Sequence, residues 1–411
     1  MEKTGEEKKT FPQKKITSYS FLLLIIYIIM FCFTLFSNIQ QRNDSQSQIG
    51  IDYADYYTAG HMALSGDLDS VYDIDAHRTT MDKLLGIKVP FTLPWRYPPV
   101  FLLVIAPLAL LPFPVSLLLW LAATLLFFAV AVYRMLPQKR WLGALALGFP
   151  AVFMNLRWGQ NGFLSAALLA LGIGALETNP VFAGAMLGCM IYKPQFAVFP
   201  FFILLLAKQW KALFSAIGSA LTLSLVSLAL FGSSQWVAFF QSLFASSSNL
   251  LEAESASIAA IQVSVYNTVA ILGASPQTSV VAQGVVMIAA ICVACWVFRK
   301  SDRLPLKGAM LVLGIPLSIP YFMQYDLVIL AVPLVLLVYD LLENGSSKFE
   351  WFMVALLWLL PLFNWPLVIF TRIQICPIMV IAEMAMIVLR VKRKSKNPAL
   401  QLPNPAAENT R

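Results

Sequence analysis

Long apolar runs, separated by short polar turns, make up most of this sequence. The first run, residues 20–36, is nearly as long as the stretch of about 20 apolar residues that a spanning helix needs. Several later runs are shorter, and short helices joined by polar turns line a cavity more often than they face lipid. The pattern therefore predicts an all-α polytopic membrane protein. Its expected membrane segments, about twelve, are 20–36, 115–133, 141–154, 163–176, 181–192, 196–206, 213–231, 280–298, 308–320, 327–341, 352–363 and 375–389.

Two longer polar stretches interrupt this pattern, at residues 37–97 and 232–277. The first predicts a large loop that contains short amphipathic helices around 56–64 and 74–85. The apolar run that follows, 100–111, is flanked by prolines and is too short for an upright span. We therefore expect it to form a half-buried or re-entrant helix.

Polar tails flank the expected transmembrane domain, residues 18–392. The tail at 1–17 and the tail at 393–411, which is expected to be disordered, carry clustered Lys and Arg, as do the turns at 134–140 and 299–307. Lys and Arg are enriched on the cytoplasmic side of membrane proteins. The sequence thus predicts a multi-pass protein of the plasma (inner) membrane with both termini in the cytoplasm, and it predicts that both long loops are extracytoplasmic.

The composition agrees with a membrane protein and argues against several functions. Hydrophobic residues make up 59% of the 411 positions and charged residues only 12%, against about 25% in a soluble protein. The net charge of +8 is spread over the tails and turns, so nucleic acid is not an expected partner. All five cysteines lie in apolar runs, and two scattered histidines cannot build a zinc-type site. We expect no metal and no cofactor.

The segment 50–73 is unusually acidic for this chain, and it follows the first apolar run. Asp52 and Asp55 are the candidate catalytic residues, because a carboxylate at the membrane surface can accept a proton from a substrate hydroxyl. The other carboxylates, Asp67, Asp69 and Asp73, are better explained as solvated turn or helix-cap residues. We expect the two histidines, His61 and His77, at the surface of the loop.

Further polar side chains fall in turns on the same predicted side of the membrane. A carboxylate with several separated cations suits inverting group transfer from a phosphate-linked donor. Alternatives remain open at this point. The two arginines equally suit interfacial anchors, and Asp326 equally suits a helix cap. The amides of Gln160, Asn161 and Gln195 are better explained as backbone partners in broken helices. The candidate substrate-binding residues are Arg96, Tyr97, Arg157, Gln160, Asn161, Lys193, Gln195, Gln324 and Asp326.

Four sequence motifs, in this order, resemble those of glycosyltransferase family 87: DYADYYTAGHMALSGDLDSVYD, RYPPVFLLVIAPLALLP, WGQNGFLSAALLA and KPQFAVFPF. The resemblance covers roughly residues 52–206, with a weaker similarity at SIPYFMQYDLVILAVP. It implies a GT-C fold and a mannosyltransferase-like enzyme that inverts the sugar. The implied partners are a polyprenyl-phosphate sugar donor, a glycan or glycolipid acceptor and membrane lipids. Gln324 stands where some members carry His, and a Gln can bond a phosphate or hydroxyl but cannot titrate.

The resemblance also favours Asp52 over Asp55 as the general base, since Asp52 holds the position of the first Asp in a D-x-x-x-Y motif. We expect the rings of Tyr53, Tyr56 and Tyr57 to form a sugar-stacking wall that partly desolvates Asp52. A transporter or flippase of lipid-linked sugars is the alternative function. No internal repeat is visible, although many transporters are built from two related halves.

Overall fold

The computed structural model describes residues 13–40, 50–86, 95–245 and 260–393. This part of the chain is helical apart from its turns and an isolated β-bridge between Gln262 and Met323. Of the predicted tails, residues 1–12 and 394–411 lie outside the described residues, as do parts of both predicted loops, whereas residues 13–17 already belong to the first helix.

Eighteen α-helices can be followed through the described ranges. In chain order they are Gln13–Gln40, Ile51–Ser65, Ile74–Leu85, Leu102–Leu108, Phe113–Met135, Gly143–Leu147, Ala151–Trp158, Gly162–Ala175, Pro180–Gly188, Pro194–Leu206, Trp210–Phe231, Ser233–Ala245, Val265–Ile271, Pro276–Lys300, Leu304–Ser318, Ala331–Glu343, Lys348–Thr371 and Ile375–Lys392. Short 3₁₀ helices connect some of them: Leu68–Ser70, Pro99–Phe101, Pro137–Leu142, Cys189–Tyr192 and Gln324–Leu330.

Several helices are long and apolar enough to cross a membrane, so the chain is a multi-pass membrane protein. Six qualify among the described residues: Gln13–Ser37, Phe113–Met135, Trp210–Phe231, Pro276–Lys300, Gln324–Glu343 and Lys348–Thr371. Five shorter apolar helices of 10–17 residues accompany them: Pro99–Leu108, Gly162–Ala175, Pro180–Tyr192, Pro194–Leu206 and Leu304–Ser318. The total of about twelve segments remains a prediction.

The predicted membrane segment 141–154 is not one continuous helix. The chain there forms a 3₁₀ turn and then the two short helices Gly143–Leu147 and Ala151–Trp158. Pro150 separates them, since proline has no N–H and disfavours helical backbone at the residue before it. Gly148 also packs against the first helix so closely that a Cβ on it would lie 2.9 Å from the Ser20 Cα.

The loop helices are close to their predicted positions. The second is Ile74–Leu85, as expected, and Asp73 caps it by accepting a 2.8 Å hydrogen bond from the Ala76 N–H. The first starts earlier than predicted, at Ile51, and Asp52 therefore lies in its first turn. The short apolar stretch after the loop forms the helix Leu102–Leu108, which packs against Ile51–Ser65.

The span Gln324–Glu343 lies at the centre of the fold. In its most apolar window 83% of the residues are buried, against 11% for Trp210–Phe231. Its 3₁₀ start, Gln324–Leu330, packs against the helices Ala151–Trp158 and Gly162–Ala175. The polar turn between those two helices therefore meets the polar start of the central span, and the candidate site forms there.

Candidate active site

Two glycines bring the first loop helix against the turn at 159–161. Gly50 precedes this helix with φ 71°, and its N–H donates to the Arg157 carbonyl oxygen at 2.9 Å. Gly159 also has φ 71°, and a Cβ there would lie only 2.7 Å from that of Tyr53. Glycine tolerates both positive φ and close approach. The first turn of the loop helix can therefore face the turn that carries Gln160.

Asp52 is a buried carboxylate held by an amide. The side chain is 8% exposed, and Gln160 Nε2 donates to its Oδ2 at 2.6 Å. Burial raises the pKa of Asp52 to about 7, opposed by the Gln160 hydrogen bond and assisted by the negative charges of Asp55 and Asp326. A carboxylate with that pKa can accept a proton efficiently near neutral pH.

A hydrogen-bond network extends from Asp52 through Gln160 to a buried lysine. The Tyr56 hydroxyl donates to Gln160 Oε1. Asn161 Nδ2 donates to the hydroxyls of Tyr56, at 3.0 Å, and Tyr97, at 2.8 Å, while Asn161 Oδ1 accepts from Lys193 Nζ at 3.2 Å. Both Asn161 atoms thus bond side chains, and the network joins four separate segments of the chain.

Lys193 forms a buried ion pair at the end of this network. Its Nζ lies 2.6 Å from Asp326 Oδ1, and the two side chains are 4% and 3% exposed. The ammonium also lies 4.4 Å from the centre of the Phe196 ring. Its charge is therefore already compensated by a carboxylate and by an aromatic face.

Arg96, unlike Lys193, has no carboxylate partner among the described residues. Its guanidinium lies over the Tyr321 ring, 5.6 Å from the centroid, and its buried Nη1 has no hydrogen-bond partner. Burial lowers the pKa of Arg96, but a guanidinium stays charged at neutral pH. Because Nη1 has no partner among the described residues, the Arg96 side chain can bind an anion.

Asp55 pairs with a histidine, and the expected surface position of that histidine is wrong. His77 is 0% exposed, and its Nε2 lies 2.9 Å from Asp55 Oδ1. Its Nδ1 faces the Val71 carbonyl oxygen at 3.2 Å. The sequence contained one signal for this: His77 and Met81 are four residues apart, and both lie on the buried face of the helix Ile74–Leu85.

The tyrosines after Asp52 do not form a wall facing a sugar. Tyr53 and Tyr56 are 0% and 1% exposed and belong to the hydrophobic core. Tyr53 stacks on Trp120, with centroids 6.1 Å apart, and Tyr57 donates from its hydroxyl to the Leu111 carbonyl oxygen. The rings lie among other core side chains.

Besides Arg96, three predicted binding residues lie outside the network. Arg157 is exposed, with its guanidinium 5.8 Å from the centre of the adjacent Trp158 ring, as in an interfacial anchor. Gln195 is half-buried in the first turn of Pro194–Leu206. Gln324 is buried, and its amide donates to the Pro361 carbonyl oxygen at 3.3 Å.

Comparison with known families matches residues 95–320, more than half of the chain, to the profile of glycosyltransferase family 87. The chain belongs to glycosyltransferase family 87. The family resemblance is thereby confirmed, and the protein is a membrane glycosyltransferase. The match contains three of the four motifs, whereas the first, residues 52–73, lies outside it. The match includes Arg96, Gln160 and Lys193 of this glycosyltransferase but not Asp52 or Asp326. Comparison with curated proteins and with solved structures found no match.

Proposed function

We propose that this glycosyltransferase moves a sugar, with mannose favoured, from a polyprenyl-phosphate donor to a glycan or lipid acceptor outside the cytoplasm. In this proposal the enzyme has a GT-C fold, lies in the plasma membrane with both termini in the cytoplasm, and inverts the anomeric configuration. The observation that supports it best is Asp52, a buried carboxylate held at 2.6 Å by Gln160, with a pKa of about 7.

In the proposed reaction the acceptor hydroxyl oxygen attacks the anomeric carbon of the donor sugar. The acceptor O–H bond breaks as its proton passes to Asp52, and the bond from the anomeric carbon to the phosphate oxygen breaks with its electron pair. Polyprenyl phosphate leaves. A single displacement inverts the configuration, and a general base of this kind contributes about 10²- to 10⁴-fold in rate.

Arg96 is the proposed phosphate ligand. Its unpartnered Nη1 can donate to a phosphate oxygen, and a desolvated cation stabilises the negative charge that develops on the leaving phosphate. Lys193 has a different proposed role. Because Asp326 already compensates its charge, the lysine holds Asn161, and through Asn161 it holds the two tyrosine hydroxyls beside Gln160.

A lipid-linked donor also suits the surroundings of this site. The network lies between helices of a membrane protein, where a polyprenyl chain can remain in the bilayer while its phosphate reaches Arg96. The described mechanism uses side chains of this protein only, and it requires neither a metal nor a nucleotide-sugar site.

The test is a transfer assay with the purified protein in lipid nanodiscs. Polyprenyl-phosphate mannose, polyprenyl-phosphate glucose and a nucleotide sugar would be offered with a set of glycan and glycolipid acceptors, and the Asp52→Asn variant would serve as the control. We expect transfer from a polyprenyl-phosphate sugar and inverted product. Transfer from the nucleotide sugar alone would contradict the proposed donor, and movement of the lipid-linked sugar across the bilayer without transfer would support a flippase.

A further inference from the structure

The buried pair of Asp55 and His77 lies beside the proposed base and has no role in the mechanism so far. His77 is held from both sides, by Asp55 Oδ1 at 2.9 Å from Nε2 and by the Val71 carbonyl oxygen at 3.2 Å from Nδ1. The two residues come from different helices, Ile51–Ser65 and Ile74–Leu85, which pack against each other.

The partners of the two ring nitrogens indicate how many protons the pair holds. A carbonyl oxygen can only accept, so Nδ1 carries a hydrogen. Nε2 lies 2.9 Å from an Asp55 carboxylate oxygen without the alignment of a hydrogen bond, and a negative charge at this distance favours the protonated ring. Burial alone would lower the pKa of His77, but the adjacent Asp55 carboxylate raises it above its ordinary value. The pair is therefore neutral as a whole, as an imidazolium beside a carboxylate.

The negative charge of Asp55 affects the pKa of Asp52. The two carboxylates are three residues apart, so they are neighbours on one helix face, and the negative charge of Asp55 contributes to raising the pKa of Asp52. The other charged groups near Asp52 are Asp326 and Lys193, and Arg96 acts on Asp55. These three stay the same in every variant described below.

We propose that His77 is a positioning residue of the transfer reaction, which neutralises and fixes Asp55 and thereby keeps Asp52 able to accept a proton at neutral pH. This inference rests on the proposed function, in which Asp52 is the base. His77 acts through Asp55 and does not touch the substrate.

The His77→Gln variant separates charge from shape. Gln can donate a hydrogen bond to Asp55, but it carries no charge. In the profile of kcat/KM against pH, we call the region where activity falls with decreasing pH the acid limb. We expect His77→Gln to move this limb to higher pH by about 0.5–1 unit. A charge within about 4–6 Å shifts a pKa by roughly one to three units. The expected shift of the Asp52 pKa is smaller, because Asp55 lies between His77 and Asp52. Activity should recover at alkaline pH.

Two further variants complete the test. Asp55→Asn removes the negative charge, and His77, buried without that partner, loses its proton, so the pair stays uncharged and the acid limb should move less than in His77→Gln. The double variant His77→Gln/Asp55→Asn should show the same limb as Asp55→Asn alone, because His77 no longer has a charge to compensate. His61→Gln is the matched control, a histidine change on the helix that carries Asp55, and it should leave the limb in place.

The outcomes distinguish this inference from the proposed function. If Asp52→Asn retains full activity, the proposed base is wrong and this inference is wrong with it. If Asp52→Asn is inactive but His77→Gln loses activity equally at every pH, His77 is merely structural and only this inference is wrong. Should His77→Gln fail to fold, a shift of the acid limb to lower pH by about one unit or more in Asp55→Asn would show that the charge of Asp55 is not compensated, and this result would overturn the inference by itself.

Discussion

Lys193 donates to Asp326 across 2.6 Å in a site where both side chains are nearly inaccessible to solvent. The two residues are 133 positions apart in the chain. Their ion pair connects the turn before helix Pro194–Leu206 to the start of the central span. Each charge is tolerated in this buried place because the other compensates it.

Breaking this ion pair should destabilise the protein. Lys193→Met leaves the Asp326 carboxylate buried without its partner, and a loss of this kind costs about 3–5 kcal/mol of the free energy of unfolding. Asp326→Asn should destabilise the protein to a similar extent, because it leaves the Lys193 ammonium buried without a negatively charged partner. The double variant Lys193→Met/Asp326→Asn should lose less than the sum of the two, as measured by denaturation in mixed micelles. Additive losses would show that the two charges do not depend on each other.

Arg96 and Arg157 should differ strongly in donor binding. Truncating a buried charge that contacts a ligand typically costs about 2–5 kcal/mol, so Arg96→Met should weaken affinity for a polyprenyl-phosphate sugar by roughly 30- to 4,000-fold. Arg157→Met is the matched control, since this arginine is exposed, and it should keep wild-type affinity. The measurement is equilibrium binding of the donor in nanodiscs. Wild-type affinity in Arg96→Met would show that Arg96 does not bind the phosphate.

Asp52 should matter more to catalysis than Asp55. Asp52→Asn keeps the shape of the side chain but cannot accept a proton, so the rate should fall about 10²- to 10⁴-fold, with donor binding roughly preserved. Asp55→Asn should lower the rate less, mainly through positioning of the acceptor. Both variants would be compared in the transfer assay, with donor affinity measured separately. Near-normal turnover in Asp52→Asn together with an inactive Asp55→Asn would assign the base to Asp55.

The activity of this glycosyltransferase should fall on the acid side of neutrality. Burial raises the pKa of Asp52 to about 7, and a general base works only in its deprotonated form. Below pH 7, kcat/KM should therefore drop about tenfold for each pH unit, and above about pH 8 it should reach a plateau. The measurement is the initial rate at subsaturating donor from pH 5 to pH 9. A flat profile down to pH 5 would exclude Asp52 as the titrating base.

The predicted orientation can be tested by cysteine labelling. Asp67 and Gln138 are both exposed, and the sequence places them on opposite sides of the membrane. In a variant without the five native cysteines, two of which are exposed, Asp67→Cys should react with an impermeant maleimide added to intact cells, and Gln138→Cys should not. The reverse result would invert the orientation.

The sequence by itself determined the class of the fold and most of its helices. Apolar runs and prolines act locally, through helix length and the missing proline N–H. For this reason the loop helix Ile74–Leu85 and its Asp73 cap were predictable, as was the short helix Leu102–Leu108. The motifs around Arg96, Gln160 and Lys193 also pointed to the family, whose match covers all three residues.

Only the tertiary structure decided which polar groups meet. Lys193 could have bound a phosphate as easily as a carboxylate, and His77 could have faced water, because a chain pattern records periodicity but no distance between remote segments. The central span brings Asp326 to Lys193, and the packing of two loop helices brings His77 to Asp55. A buried charge needs a partner wherever the chain can supply one, and in a helical protein that partner depends on how the helices pack.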